Sequence, residues 1–424
     1  DPAASTRPPH PMFRRVAVGL AVLWTVYCLN GFRSPATPIE LSDNNAGSTL
    51  RQALFGGSAL VAGIGLWMSG KIWMAVRKHA LWAMLGTWML ATLTYSDEPA
   101  VTAKRAVLFW CGLCTAAFFV GTTSERHLER AARTTAVLCV LISGASLAWM
   151  ALLPANISTN PGRPGLAGVS NHPNTLAPAC AVGLIILSGL GSQTTTQRVT
   201  RWLGLAITGA ALVLTGSVTS MFFAFVGVLV ALLLSLGGYA AAIAFVLIAA
   251  AGVAMLLVGP AAVTDMVFAS VNRDPSMSGR DELWGMISRQ IRERPLFGHG
   301  WGAFWTEGKG REMVGTWNPR QSHNAYLDVT LDIGLIGLVV LLVPIGMTFS
   351  RLRETMRDTA NPHTRQAAIA TLALLSALLS VYALQQSFLG KPDSFAFAVV
   401  LWMSLAANRE PANRVGGFSG SRGS

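Results

Sequence analysis

Charge is scarce in this chain of 424 residues: Asp, Glu, Lys and Arg together make up only 12% of it, where soluble domains carry about 25%. With 52% hydrophobic residues and a mean hydropathy of +0.47, a water-soluble core is excluded. Cysteine is sparse as well. The five present (Cys28, Cys111, Cys114, Cys139, Cys180) all fall inside apolar stretches, where a thiol acts as a small apolar side chain, so no disulfide framework follows. Cys111 and Cys114 form a lone CxxC, but a zinc site needs a second ligand pair and a redox site needs the mouth of a soluble fold. Packing is the expected role. Carboxylates at metal-ligand spacing are also missing: Asp281 and Glu282 are adjacent, and Asp328 and Asp332 fall on one side of a helix. No catalytic metal and no cofactor are expected. No internal repeat, heptad run or low-complexity tract is found.

What the chain does have is apolar length. A bilayer core about 30 Å thick needs roughly 20 mostly apolar residues per spanning helix. Such stretches run over 16–32, 52–69, 80–95, 105–121, 134–153, 174–190, 202–217, 219–236, 239–259, 327–349, 367–388 and 394–407. The expected fold class is therefore all-α, a polytopic membrane protein of about 12 spans. It divides into a tail or cloning leader at 1–15, nine spans over 16–259 with a linker at 154–173, a large loop at 260–326, three spans over 327–407, and a tail at 408–424.

The net charge of +12 lies in short clusters between spans rather than on one amphipathic face, which argues for topology and against nucleic-acid binding. With a cytoplasmic amino terminus, 18 of the 32 Lys and Arg fall inside, and 8 of the other 14 lie in the single long loop, which the positive-inside rule counts little. Both termini are expected to be cytoplasmic, and the linker and the loop periplasmic. Those two segments are long where most connections are short, so function is expected there.

In the long loop Ser278 precedes Asp281 by three residues, and an apolar stripe follows at Leu283, Trp284, Ile287 and Ile291. This reads as an amphipathic helix with a capping box, its apolar face on the bundle or the membrane interface. Arg280 falls in its first turn, beside unpaired N–H groups and the positive end of the helix dipole, a setting that suits phosphate. Arg289, Arg292 and Arg294 read as a solvated or headgroup-facing surface. GHGWGAFW (298–305) reads as a tight turn anchored at the interface by its aromatic rings. His299 within it is expected to pack or hydrogen-bond, with catalysis in reserve. At 322–324, Ser322, His323 and Asn324 open the tenth span, with the first two placed to cap it. A helix amino terminus and nearby arginines disfavour imidazolium, so His323 is expected to stay neutral and able to accept a proton. In the linker, Arg163 sits in a Pro/Gly-rich setting that can turn backbone N–H groups towards an anion, ahead of Asn171, His172 and Asn174. Asp332 is an intramembrane acid, by default functional, unless it simply pairs with an arginine or a loop N–H.

GRPGLAGVSNHPN in the linker, SGRDELW and RPLFGHGWGAF in the loop, and HNAYLDVTLDIGLIG entering a span together resemble the O-antigen ligase and polymerase superfamily of bacterial envelope enzymes. The resemblance implies a metal-independent glycosyltransferase of the bacterial inner membrane. It would take a glycan from undecaprenyl diphosphate at the periplasmic face, the ligase branch delivering it to lipid A-core. By motif position Arg163 and Arg280 match the family's essential arginines and His323 its essential histidine. The acid before Gly-Leu-Ile-Gly is usually Glu and here is Asp332. His299, Asn324 and Asp332 are the supporting candidates. Arginine forks can bind two phosphate oxygens and offset charge on a departing diphosphate, while one neutral base takes the acceptor proton in an inverting displacement. Retention would instead need a carboxylate nucleophile, for which Asp328 and Asp332 are weak candidates. The rivals are an O-antigen polymerase, a protein O-oligosaccharyltransferase, and a transporter or flippase. Transporters place ionisable groups and broken helices near the midplane of two related halves.

Overall fold

A computed structural model describes residues 11–28, 49–122, 127–152, 159–160, 163–170, 172–236, 280–306, 310, 321–383, 388–389, 391 and 394–408. Thirteen α-helices run through them. They are α1 (Pro11–Cys28), α2 (Thr49–Met68), α3 (Ile72–Lys78), α4 (Ala80–Ala91), α5 (Pro99–Thr122), α6 (His127–Leu152), α7 (Pro173–Gly189), α8 (Thr195–Leu214), α9 (Val218–Leu236), α10 (Arg280–Glu293), α11 (Ala325–Asp358), α12 (Pro362–Ala377) and α13 (Phe395–Ala407). A helix lies over eleven of the twelve expected stretches; the ninth, 239–259, and the capping Ser278 lie outside the described residues. Among the described residues five helices are long and apolar enough to cross a bilayer as they stand, or six counting α2 with α3 as one bent pair. The chain is an integral membrane protein.

The packing is that of helices in lipid. Large apolar side chains point outward, among them Leu60 and Trp67 on α2, Leu203 and Val213 on α8, and Phe222 and Phe225 on α9. In water such a surface would aggregate, whereas hydrocarbon leaves it no reason to hide. Buried contacts are made by small residues that let backbones approach. A methyl group at Gly189 would come within 2.6 Å of the Ala370 Cα, and one at Gly183 within 2.8 Å of the Cys139 Cβ. α7 is the central helix, with Leu176, Ala177, Cys180, Ala181, Val182 and Ile185 wholly buried and with α6, α8, α9 and α12 around it. None of the five cysteines forms a disulfide, and four are buried.

Three features depart from expectation. The connection between the expected stretches 52–69 and 80–95 carries a helix of its own, α3, which turns from α2 by 109° at Gly70 (φ 67°). Lys71 Nζ donates to the Gly121 carbonyl at 2.9 Å and ties this corner to the end of α5. Part of the linker is a short antiparallel ladder of β1 (Thr159–Asn160) and β2 (Arg163–Leu166), a small exception to an all-α chain. The tenth span is not continuous: α11 breaks at Gly334 (φ 69°, ψ −178°).

Helix direction alternates through the bundle. The start of α5, the ladder, the starts of α7 and α11 and the turn at 294–306 therefore share one end, while Arg77, Arg133 and Arg351 come to the opposite end with the links α3–α4 and α11–α12.

Candidate functional site

The break in α11 organises the site end. Non-helical geometry at Gly334 frees the carbonyls of Leu331, Asp332 and Ile333 and the N–H groups beyond it, which in lipid must find partners. The turn after α10 supplies them. His299 N–H donates to the Leu331 carbonyl at 2.9 Å, Gly300 N–H to that of Asp332 at 2.8 Å, and Leu335 N–H to that of Pro295 at 2.9 Å. The Trp88 indole donates to the Ile333 carbonyl at 3.3 Å. The glycines of GHGWGAFW are used as glycines: Gly298, Gly300 and Gly302 all have positive φ. Its aromatic rings are not interfacial anchors, however. Trp301 is fully buried and Trp305 nearly so, because the turn is sewn into a broken helix instead of lying on the surface.

α10 docks as its apolar stripe suggests. Leu283 and Ile287 are buried with Phe304, Trp305 and Leu331, and Trp284 and Ile291 pack against them. The apolar face thus meets the bundle. Arg289 and Arg292 are exposed. Arg294 is not simply solvated, since it pairs with Asp97 at 3.0 Å. His299 is an internal strut: Nδ1 contacts Asp97 Oδ2 at 3.0 Å and Nε2 contacts the Gln290 carbonyl at 3.4 Å, with the ring edge-on to Phe304. Both ring nitrogens are engaged.

His323 stands at the mouth of α11. Asn324, not Ser322 or His323, is the cap, its Oδ1 accepting from the N–H groups of Tyr326 at 3.0 Å and Leu327 at 3.2 Å. Ser322 instead closes a loop of its own, with Oγ donating to the Asn324 carbonyl at 2.6 Å and accepting from Asn324 N–H. Asp328 Oδ1 gathers this loop by accepting from Ser322 N–H and from the Trp305 indole, each at 3.0 Å. Between these anchors His323 is held at φ 58°, a left-handed conformation that costs a non-glycine residue about 1–3 kcal/mol and persists only when its surroundings over-determine it.

The His323 ring belongs to a relay that sequence reasoning missed. Lys391 Nζ donates to Gln321 Oε1. Lysine has only donors, so the other amide atom, Gln321 Nε2, faces His323 Nδ1 as a donor at 3.3 Å. In a neutral imidazole this places the proton on Nε2 and the lone pair on Nδ1.

Arg280 begins α10, one turn before Trp284, whose indole donates to the Ser322 carbonyl at 2.9 Å. This bond ties α10 to the residue just before His323. Arg163 lies at the same end but on another part of the rim, at the start of β2, which packs on α7 and α8. The side chains of both arginines lie outside what is described. His172 caps α7, its Nδ1 accepting from Asn174 N–H at 3.0 Å; Asn171 lies outside the described residues. Asp332 is buried with Oδ1 unpartnered, takes a Gly302 N–H, and feels the charges of Arg105 and Lys391. Arg105, packed against Gly302, is a second residue not singled out from the sequence. Among the described residues no cluster of His, Cys, Asp and Glu could hold a metal ion.

A bundle of lipid-facing helices with a strained histidine loop and a broken helix sewn together at one end defines a polytopic membrane protein with its candidate site at that end. Residues 203–342 match the family model described as O-Antigen ligase. The matched segment takes in Arg280, His323 and Asp332 but not Arg163. A curated relative, the Exopolysaccharide production protein ExoQ of Rhizobium meliloti (strain 1021), is 25% identical over 122 residues. That match spans 27% of this chain and 27% of the relative's length.

Proposed function

We propose that this protein is a metal-independent glycosyltransferase that moves O-antigen polysaccharide from undecaprenyl diphosphate to lipid A-core at the periplasmic face of the inner membrane. The observation that carries the reading is His323, held in a strained left-handed conformation next to α10, with its Nδ1 lone pair oriented by Gln321. Strain kept in a loop so thoroughly tied by Asn324, Asp328 and Trp284 suggests a position selected for chemistry rather than for stability.

In the proposed reaction the acceptor hydroxyl replaces the Gln321 amide at His323 Nδ1. That hydrogen bond is long enough, at 3.3 Å, to be exchanged readily. The hydroxyl oxygen attacks the anomeric carbon as its proton passes to Nδ1 and the bond from that carbon to the diphosphate breaks on the opposite face. The product has an inverted anomeric centre, and the diphosphate leaves with one more negative charge, which Arg280 and Arg163 offset. The imidazolium then returns its proton to water. A covalent glycosyl-enzyme is disfavoured because Asp328 Oδ1 is committed to two N–H donors and Asp332 is sealed in the bundle.

A second reading, extension of another lipid-linked glycan by a polymerase, draws support from the relative whose name speaks of exopolysaccharide production. Lipopolysaccharide and lipid-linked glycan profiles of cells lacking the protein separate the two. Core without any O-antigen, with polymer accumulating on the carrier and rescue by wild type but not by His323→Ala, identifies the ligase. Core bearing a single repeat identifies the polymerase. Unchanged profiles, or full rescue by His323→Ala, refute the assignment.

A further inference from the structure

The end of the bundle opposite His323 holds a second polar site. There α3, α4, α11 and α13 enclose a cavity of about 200 Å³ whose polar lining includes Arg77, Lys78, His79, Arg351, Ser404 and Asn408. Three of these are cationic and none of the lining residues is acidic; Glu354, one turn along α11, interacts with Arg351 from outside the cavity. A concave site lined by one sign of charge concentrates counter-ions.

Two of the lining atoms are buried donors or acceptors in want of a partner. His79 is 5% exposed and Ser404 2% exposed, yet His79 Nδ1 and Ser404 Oγ make no hydrogen bond. Buried polar atoms are nearly always satisfied, so each such exception calls for an explanation. Water could serve these two atoms, but it carries no charge to complement a lining whose charged residues are all basic. A group with several acceptor oxygens and a negative charge serves both needs. Asn408 donates to the Lys78 carbonyl and so ties the end of α13 to the floor of the site.

The rim identifies the source of that anion. Met347 lines the cavity and is 39% exposed; Val343, one turn before it on α11, is exposed too, as are Ile72, Trp73 and Val76 on α3, the helix that brings Arg77 and Lys78 to the cavity. An acyl chain could lie along them while its headgroup turns inward. We propose that this cavity binds the phosphate of an anionic phospholipid, held by Arg77, Lys78 and Arg351 as ion-pair partners and by His79 and Ser404 as hydrogen-bond donors. Burial, followed by the charges of Lys78, Arg351 and His127, pushes the His79 imidazole down to about 3. His79 thus meets the phosphate as a neutral N–H donor, and the arginines and the lysine supply the charge. Lipid bound here would join the corner at α3 to α11 and α13.

The test uses the purified full chain in neutral detergent, its thermal midpoint followed by tryptophan fluorescence during titration with short-chain phosphatidylglycerol, short-chain phosphatidylcholine or inorganic phosphate. Phosphatidylglycerol should raise the midpoint saturably and the other two should not. The double variant Arg77→Gln/Arg351→Gln should need about tenfold more phosphatidylglycerol, the effect of losing charge-assisted hydrogen bonds. The exposed pair Arg353→Gln/Arg357→Gln, at the same end but outside the cavity, should respond like wild type. If the double variant does not fold, Arg77→Gln alone should shift the half-point in the same direction by a smaller factor. An equal response to inorganic phosphate would make this a free-anion site. An equal response to phosphatidylcholine, an equal loss in the control pair, or no saturable response to phosphatidylglycerol would overturn the proposal.

Discussion

Replacing Gly334 by alanine tests whether the break in α11 is a built feature. The backbone there has φ 69°, where a Cβ costs about 1–2 kcal/mol by itself. The added methyl would also overlap the carbonyl of Leu296 and approach the Phe297 nitrogen to 2.5 Å. These neighbours are backbone in a turn sewn to α11, so no rotamer change relieves the overlap. Moving the turn stretches the bonds His299 N to Leu331 O, Gly300 N to Asp332 O and Leu335 N to Pro295 O, at about 1 kcal/mol each. The expected loss is about 3–5 kcal/mol, among the larger values for a single methyl group. Gly346 on the same helix is the internal control, because a methyl there meets nothing within 4 Å; Gly346→Ala should be neutral or stabilising by up to about 1 kcal/mol. Thermal unfolding in detergent, read by the tryptophans, makes the comparison. Equal midpoints for the two variants would refute the account of the break.

Substituting His323 separates strain from chemistry: His323→Gly should have a higher thermal midpoint than His323→Ala, by about 0.5–1 kcal/mol of stability, while both variants transfer glycan about 10²- to 10⁴-fold more slowly than wild type. Asp328→Asn retains an oxygen for Ser322 N–H and the Trp305 indole and should cost about 1 kcal/mol, whereas Asp328→Ala orphans both donors and should cost about 2–5 kcal/mol in the same unfolding assay. His79 gives a pH signature of known sign. Its folded value is pushed down to about 3, so below the unfolded value of about 6.5 the unfolded chain binds a proton that the folded chain refuses. Its contribution is fully present above pH 6.5 and is lost as the pH falls, by about 2 kcal/mol at pH 5. In His79→Gln that part of the decline between pH 6.5 and 5 should be missing when unfolding midpoints are compared.

Much of the fold is legible in the sequence because apolar length is a direct response to bilayer thickness. The stripe Leu283, Trp284, Ile287 and Ile291 likewise announces a docking face, and the glycines of GHGWGAFW a turn. The break at Gly334 is hidden because LDIGLIGLVV reads as an unbroken apolar helix, and the turn that stabilises the break arrives from more than thirty residues earlier. The relay from Lys391 through Gln321 to His323, and Arg105 beside Gly302 and Asp332, join segments far apart in the chain. No local period encodes such meetings; at most, lone basic residues at the site-side ends of spans, such as Arg105 and Lys391, hint at them. The reading of Ser322 and His323 as caps failed because three consecutive residues can each cap a helix, and only the tertiary bond from Ser322 N–H to Asp328 selects Asn324.

Transfer by purified protein in proteoliposomes tests the central claim most directly, with a polyprenyl diphosphate-linked glycan and lipid A-core supplied and release of the diphosphate carrier measured. Wild type should release carrier only when acceptor is present, and His323→Ala should be slower by about 10²- to 10⁴-fold, the usual contribution of a general base. Transfer by His323→Ala at the wild-type rate, or no acceptor-dependent release by wild type, would contradict the account.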